Sequence, residues 1–203
     1  MKRLDLLGYS HNDIKKMLKS HRKIDFRFEL LDKNERKLGD ITANGYIDFN
    51  AEAEIMGAGS FTIKEIKDIN YIDERLKPYL RLYTPKGWIE YPLGVYLISS
   101  PTRQSNGIYV TRDVEVYDKS VIVREDKFDN RHIVRQNTAI TSAVIQILNG
   151  AGIANVNIED SSLVAKTDIE FEIGTTKLYA INYLLKVINY NNLHFDEMGV
   201  ARS

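Results

Sequence analysis

Residues 88–117 read WIEYPLGVYLISSPTRQSNGIYVTRDVEVY, and their alternation decides the fold class. Ile89, Tyr91, Leu93, Val95 and Leu97 fall on one face of an extended segment. Ile108, Val110, Val114 and Val116 fall on one face of a second, with Tyr109, Thr111, Asp113, Glu115 and Tyr117 opposite. A period of two over such a length means that one face is buried and the other meets solvent or a partner. Ser100-Pro101 and Ser105-Asn106-Gly107 supply turn chemistry between the two arms. Pro92 sits inside the first arm and donates no backbone hydrogen bond, so the arm is an edge, a bulge or a kink at that point. The stretch predicts a long, bent β-hairpin.

Toward the N-terminus the alternation returns. Ile24, Phe26, Phe28 and Leu30 face one way and Asp25, Arg27 and Glu29 the other. A charged turn spans Asp32 to Gly39, and Asn44-Gly45 introduces a second strand with Ile47, Phe49, Ala51, Ala53 and Ile55 against Asp48, Asn50, Glu52 and Glu54. Gly57-Ala58-Gly59 reads as a turn, and Phe61 and Ile63 continue in a third strand. Between Lys64 and Lys77, Ile66, Ile69, Ile72 and Leu76 fit a short helix or an irregular crossing; Tyr79 to Tyr83 is again a strand. About six strands separated by turn signals favour an antiparallel β-barrel over residues 23–118. Residues 1–22 are expected to form a helical arm, capped by Asn12 or Asp13, with Ile14, Met17 and Leu18 on one side and Lys15, Lys16 and Lys19 on the other. Such an arm is either a surface helix or an extension that docks on a neighbouring subunit.

Beyond Tyr117 the period changes. After a charge-rich junction at 118–131, Asn137 or Thr138 is expected to cap a helix carrying Ile140, Ala143, Val144, Ile147 and Leu148, ended by Asn149-Gly150. Gly174-Thr175-Thr176 opens a second, with Leu178, Ile181, Leu184, Leu185 and Ile188 on its buried face. Val156-Ile158, Ile169-Phe171-Ile173 and Leu193-Phe195 read as short strands, and Asp196 to Gly199 as a hairpin turn. The fold class is therefore α+β, mainly β: an N-terminal antiparallel barrel followed by a smaller mixed α/β subdomain, 119–203, with two helices. Because the chain stops four residues after the last turn, that subdomain is expected to be incomplete and the chain to be the N-terminal piece of a longer protein.

Composition narrows the function. Lys+Arg and Asp+Glu both number 28 in 203 residues, and a balanced charge argues against a sequence-independent grip on phosphates. With no cysteine there is no disulfide, thiolate metal site or thiol nucleophile. The first residues, MKRLDLLGYSHND, hold no uninterrupted apolar core of the signal-peptide kind, and no run is long enough to span a membrane. His11, His21, His132 and His194 are scattered without metal-ligand spacing. Gly57-x-Gly59-Ser60 leads into a strand and so lacks the helix N-terminus that holds a phosphate. Glu52/Glu54 and Glu170/Glu172 repeat as any solvent-facing side of a strand does, which outweighs a paired-acid reading. No catalytic residue, cofactor or metal is expected.

The one enrichment is aromatic: 12 Tyr, 7 Phe and 1 Trp. Trp88, Tyr91, Tyr96 and Tyr109 are candidate interface aromatics, because a large ring with a polar tip tolerates partial burial. Asp48, Asn50, Glu52 and Glu54 are a candidate polar face toward a channel or a partner.

Three segments carry a resemblance. YLRLYTPKGWIEYPLGVYLISSPTR (residues 79–103) with VTRDVEVYDKS (110–120), TAITSAVIQILNGAGI (138–153) and FEIGTTKLYAINYLLKVINYNNLHFDEMG (171–199) together resemble minor tail proteins of long-tailed bacteriophages and, more distantly, tail-hub proteins. The resemblance implies a virion structural protein of a phage or prophage, with a Gram-positive host. It would be made in the host cytoplasm, reside in the virion tail, and join the tail tube to distal parts at the tip or baseplate hub. It also implies homotrimers in the assembled tail, other tail proteins as partners, no sequence-specific nucleic acid and no membrane insertion. The alternative is a receptor- or carbohydrate-recognition module of a tail, using exposed tyrosines; a tail-associated hydrolase ranks behind both, for want of a convergent acid or histidine cluster.

Overall fold

The computed structural model describes residues 6–64, 69–105 and 107–203. It is mainly β, with eleven strands and four helices among the described residues. Two compact units are present: Met1–Tyr46 with Gly59–Val116, and Ile47–Ala58 with Tyr117–Ser203.

The first unit is organised by seven strands: β1 (Ile24–Leu31), β2 (Lys37–Phe49), β3 (Gly57–Lys64), β4 (Arg75–Thr84), β5 (Gly87–Pro92), β6 (Tyr96–Ser105) and β7 (Val110–Asp118). Their order is β1-β2-β3-β7-β6-β4-β5, and β4 also pairs with β1, so the antiparallel sheet closes into a ring with β5 appended to β4. The β1–β4 register runs from Ile24↔Leu82 to Leu31↔Arg75. Ile24, Phe26, Phe28 and Leu30 therefore share a face with Leu82, Leu80, Pro78 and Leu76, and the charged alternates share the other. The first face holds the core, where Leu30, Leu76, Phe61, Ile63, Tyr96, Ile98, Val114 and Val116 are buried and Phe28 meets Phe61 edge-on at 5.5 Å.

The expected long hairpin is broken. After Pro92 the chain leaves the sheet, Gly94 takes φ +115°, and the Tyr96 hydroxyl donates to the Leu93 carbonyl at 2.8 Å. Ahead of the break β5 folds back on β4, from Thr84↔Gly87 to Tyr79↔Pro92. After it Val95, Tyr96 and Ile98 are all buried while Leu93 is exposed, so the single alternation expected through the arm does not hold. The missing amide of Pro92 and the glycine conformation of Gly94 together make the break. The true hairpin joins neighbours β6 and β7, and Asn106 of its turn lies outside the described residues.

The β2–β3 connection also differs from expectation. The first turn is tighter than expected: the Asp32 carboxylate accepts from the amides of Asn34 and Arg36, both at 2.8 Å, and Glu35 has φ +63°. Asn44-Gly45 lies within β2 rather than before it, and Gly57-Ala58-Gly59 opens β3. The turn comes instead at Asn50–Ile55, where the Asn50 side chain accepts from the Glu52 amide at 3.0 Å and its own amide donates to Met56 at 2.7 Å. An asparagine that bonds its own backbone competes with continuation of a strand. Ile66 lies outside the described residues; Ile69 and Ile72 flank an Asn70 turn, with no helix there among the described residues.

The arm is helix α1 (His11–Lys19), and its cap is Ser10 rather than Asn12 or Asp13. The Ser10 hydroxyl accepts from the Asp13 amide at 3.2 Å, while the Asp13 carboxylate takes the Ser10 amide at 3.1 Å. Ile14 packs with Leu82 and Ile89, and Leu6, Leu7, Tyr9, Met17 and Tyr91 close round them, so the arm lies on the β4–β5 pair of its own chain.

The second unit contains α2 (Ser120–Glu125), β8 (His132–Val134), α3 (Ile140–Gly150), β9 (Ile169–Phe171), α4 (Lys177–Val187), β10 (His194–Phe195) and β11 (Ala201–Arg202). Its core is built from the faces that helical spacing selects: Ile140, Ala143, Val144, Ile147 and Leu148 of α3 against Leu178, Ile181, Leu184 and Leu185 of α4. Thr176 caps α4 through the Tyr179 amide at 3.2 Å, but α3 begins after Ala139 with no side-chain cap. Val156 forms only a single bridge, to Ala201. The Asp118 carboxylate, buried, accepts from the amides of Gly57 at 2.6 Å and Ser120 at 2.7 Å, which fixes the start of α2. The turn between β10 and β11 closes on Asp196, which accepts from the Met198 and Val200 amides at 2.9 Å each.

Candidate assembly surface

On the charged face of the ring, four strands in the order β2-β1-β4-β5 carry a ladder of ions and rings. Arg27 of β1 is the hub. Its Nε and Nη2 donate to the two carboxylate oxygens of Glu90 at 2.9 and 2.7 Å, and its Nη1 to Glu29 at 2.6 Å and Asp40 at 2.9 Å. Lys37 reaches the same two acids, Glu29 at 3.0 Å and Asp40 at 2.9 Å. The Tyr79 hydroxyl donates to the second Glu29 oxygen at 2.9 Å, and the guanidinium of Arg27 lies 4.4 Å from the Tyr79 ring centre. Farther along, Arg81 pairs with Glu90 at 3.2 Å and Asp25 at 3.4 Å and lies 4.5 Å from the Trp88 ring centre, which Tyr83 meets edge-on at 5.2 Å.

The electrostatics follow from these contacts. The hydrogen bonds to Glu90, and then to Glu29 and Asp40, outweigh burial and push the Arg27 pKa up. Burial alone would raise Glu29; the donors Arg27, Lys37 and Tyr79 overcome it and hold the carboxyl below its usual range. Asp40 is lowered, chiefly by Lys37. Burial and the Glu29 carboxylate push the Tyr79 phenol up. A ladder in which one guanidinium bonds Glu29, Asp40 and Glu90 at once favours a rigid plate more than proton transfer.

The residues selected from sequence do not converge. Asp48 is the penultimate residue of β2, and Asn50, Glu52 and Glu54 lie in the turn after it; all four are exposed. Trp88 and Tyr91 lie on opposite faces of β5, Trp88 on the ladder and Tyr91 beneath the arm. Tyr96 is 6% exposed and serves the core. Tyr109 precedes β7, with the Lys64 amine 5.1 Å from its ring centre. Sequence reasoning missed Arg27, Glu29, Tyr79, Arg81 and Glu90. The Asp25-Arg27-Glu29 alternation marks a polar face, but only the register between strands far apart in the chain shows that these charges meet. Among the described residues no three His, Cys, Asp or Glu side chains stand together as a metal site. No helix among the described residues is long and apolar enough to cross a membrane.

No protein-family profile matches the chain, and no curated protein does. Solved structures do. The tail protein from Neisseria meningitidis MC58 superposes over 87% of this chain and 49% of its own with a TM-score of 0.59 at 12% identity. The 43 kDa tail protein of prophage MuSo2 from Shewanella oneidensis covers 89% and 53% with a TM-score of 0.59 at 15% identity. A chain of the lidded Francisella PdpA–VgrG complex covers 94% and 30%, with a TM-score of 0.54 at 12% identity. This chain thus spans about half the length of the two tail proteins, and less of the third. The chain therefore shares its fold with these two tail proteins and with a chain of the PdpA–VgrG complex.

Proposed function

We propose that the chain is a non-catalytic structural component of a phage tail tip or baseplate hub, joining the tail tube to distal parts as a homotrimer in the virion tail, with other tail proteins as partners. The observation that carries this reading is the fold shared with two tail proteins over 87% and 89% of the chain. The ladder supports it. A ring whose outer charges are neutralised within the chain presents a stiff, preorganised surface, and preorganisation lowers the entropic cost of assembly. The recognition reading is less well supported. One face of Trp88 is taken by Arg81 and its edge by Tyr83, so the ring is a poor platform for a sugar.

Mass spectrometry and immunogold labelling of purified particles test the proposal. The chain is expected in intact tails, with label confined to one end. Particles that lack it, or label along the whole tube, would overturn the reading.

A further inference from the structure

Two surfaces of the chain each expose apolar side chains and are complementary in charge. The first lies where β1 extends past β2: β2 pairs with β1 only from Phe28 onward, so Ile24 and Phe26 stand beyond its reach. They are 43% and 54% exposed, on the same sheet face as Leu80 and Leu82, and α1 packs on the β4–β5 side of that face. Leading into this shelf, Lys15, Lys16, Lys19, Arg22 and Lys23 are all exposed, and no acidic residue occurs between Asp13 and Asp25. The second surface is the turn after β2. Phe49 stands 67% exposed beside Asp48, Glu52 and Glu54, with no Lys or Arg between Ile47 and Ile63.

We infer that the Phe49 turn of one copy docks on the Ile24–Phe26 shelf of a second copy, its carboxylates facing the basic run of the arm. An exposed ring among acids and an apolar shelf beside lysines are each costly to leave in water and like-charged with themselves. Together they bury apolar area and pair opposite charges. Because the two surfaces differ, the contact is head-to-tail, and a rotation that closes it gives a ring rather than an isologous dimer. The inference rests on the reading of the chain as a ring-forming tail component, for which it names the surfaces.

The absence of cysteine makes a clean test possible. Lys16→Cys and Glu52→Cys chains are mixed under mild oxidation, and the cross-linked pair is measured by non-reducing gel and mass spectrometry. A Lys186→Cys chain with Glu52→Cys serves as control, Lys186 being exposed on α4. The expected result is a heterodimer in the first mixture only. It should be lost when Phe26→Ser or Phe49→Ser is added. It should also weaken at 1 M salt, where screening shortens to about 3 Å. Reversing Lys19→Glu on one chain should weaken it, and Glu54→Lys on the other should restore it. Cross-linking no greater than the control, or indifferent to the phenylalanine and charge variants, overturns the inference. If the chain is nonetheless found at the tail tip, the wider reading survives that loss; if the chain is absent from tails, the wider reading fails whatever the cross-link shows.

Discussion

Arg27 and Glu90, 63 residues apart, meet as a two-pronged ion pair at 2.9 and 2.7 Å, although β4 lies between their strands. Arg27 reaches across β4 over the ring of Tyr79, so the pair ties β5, which the sheet order leaves paired to β4 alone, back to β1. A planar guanidinium can do this where an ammonium cannot, because its donors match both carboxylate oxygens while its face stacks on the phenol.

Removing that hub should leave the carboxylates of Glu29, Asp40 and Glu90 with Lys37, Arg81 and the Tyr79 hydroxyl as partners. The side chains are only partly buried, so Arg27→Ala is expected to cost about 2 kcal/mol and Arg27→Lys about 1 kcal/mol. Urea unfolding followed by circular dichroism measures both; equal costs for the two variants would refute the role given to the fork.

Acid should loosen the same face. Glu29 and Asp40 are held below their unfolded values, near 4.3 and 3.9, so the unfolded chain takes up protons first as pH falls. Their stabilisation is complete above about pH 5 and is lost as pH drops through the folded values. Melting temperatures from pH 5.5 to 3 should fall less steeply for Glu29→Gln than for the parent, although the variant starts lower.

His132 of the second unit makes a separate prediction. Its ring lies flat on Phe128, with centres 4.5 Å apart and planes 5° from parallel. Burial, and then the charge of Lys177, hold the imidazole below its usual pKa. The unfolded chain, titrating near 6.5, again binds the proton first, so stability present above that pH is lost as it falls through the folded value. His132→Phe keeps the stack and should flatten the pH dependence of melting between about pH 7 and 5; an unchanged slope would show that another group titrates.

Two glycines of β2 separate packing from chain flexibility. A Cβ on Gly45 would run into the Ser60 carbonyl oxygen and lie 2.6 Å from Phe61 Cδ1 and 2.8 Å from Phe61 Cα, whereas one on Gly39 meets nothing within 4 Å. Gly45→Ala is therefore expected to destabilise by about 2 kcal/mol through overpacking against β3. Gly39→Ala should stay within about 0.5 kcal/mol of the parent. Thermal melts of the two variants side by side decide it.

Local chemistry in the sequence determined a good deal. The helical spacing of Ile140 to Leu148 and of Leu178 to Leu185 selects the faces that pack in the second unit, and Thr176 is a cap wherever a helix follows it. Alternation likewise sets which side of β1 and β7 turns inward, because side-chain direction follows from backbone geometry alone. Helix α2 escaped notice because six residues are too few to show a period. Pro92 marks an irregularity in its arm from the sequence, but only the tertiary structure decided that β5 returns to β4, that β2 runs through Asn44-Gly45, and that β1 closes the ring on β4. It also decided that Arg27 finds Glu90 and that Tyr96 is enclosed while Phe26 is not. Those outcomes depend on strand register between residues far apart in the chain, and pairing energies there are set by whichever partner arrives, not by anything a single segment encodes.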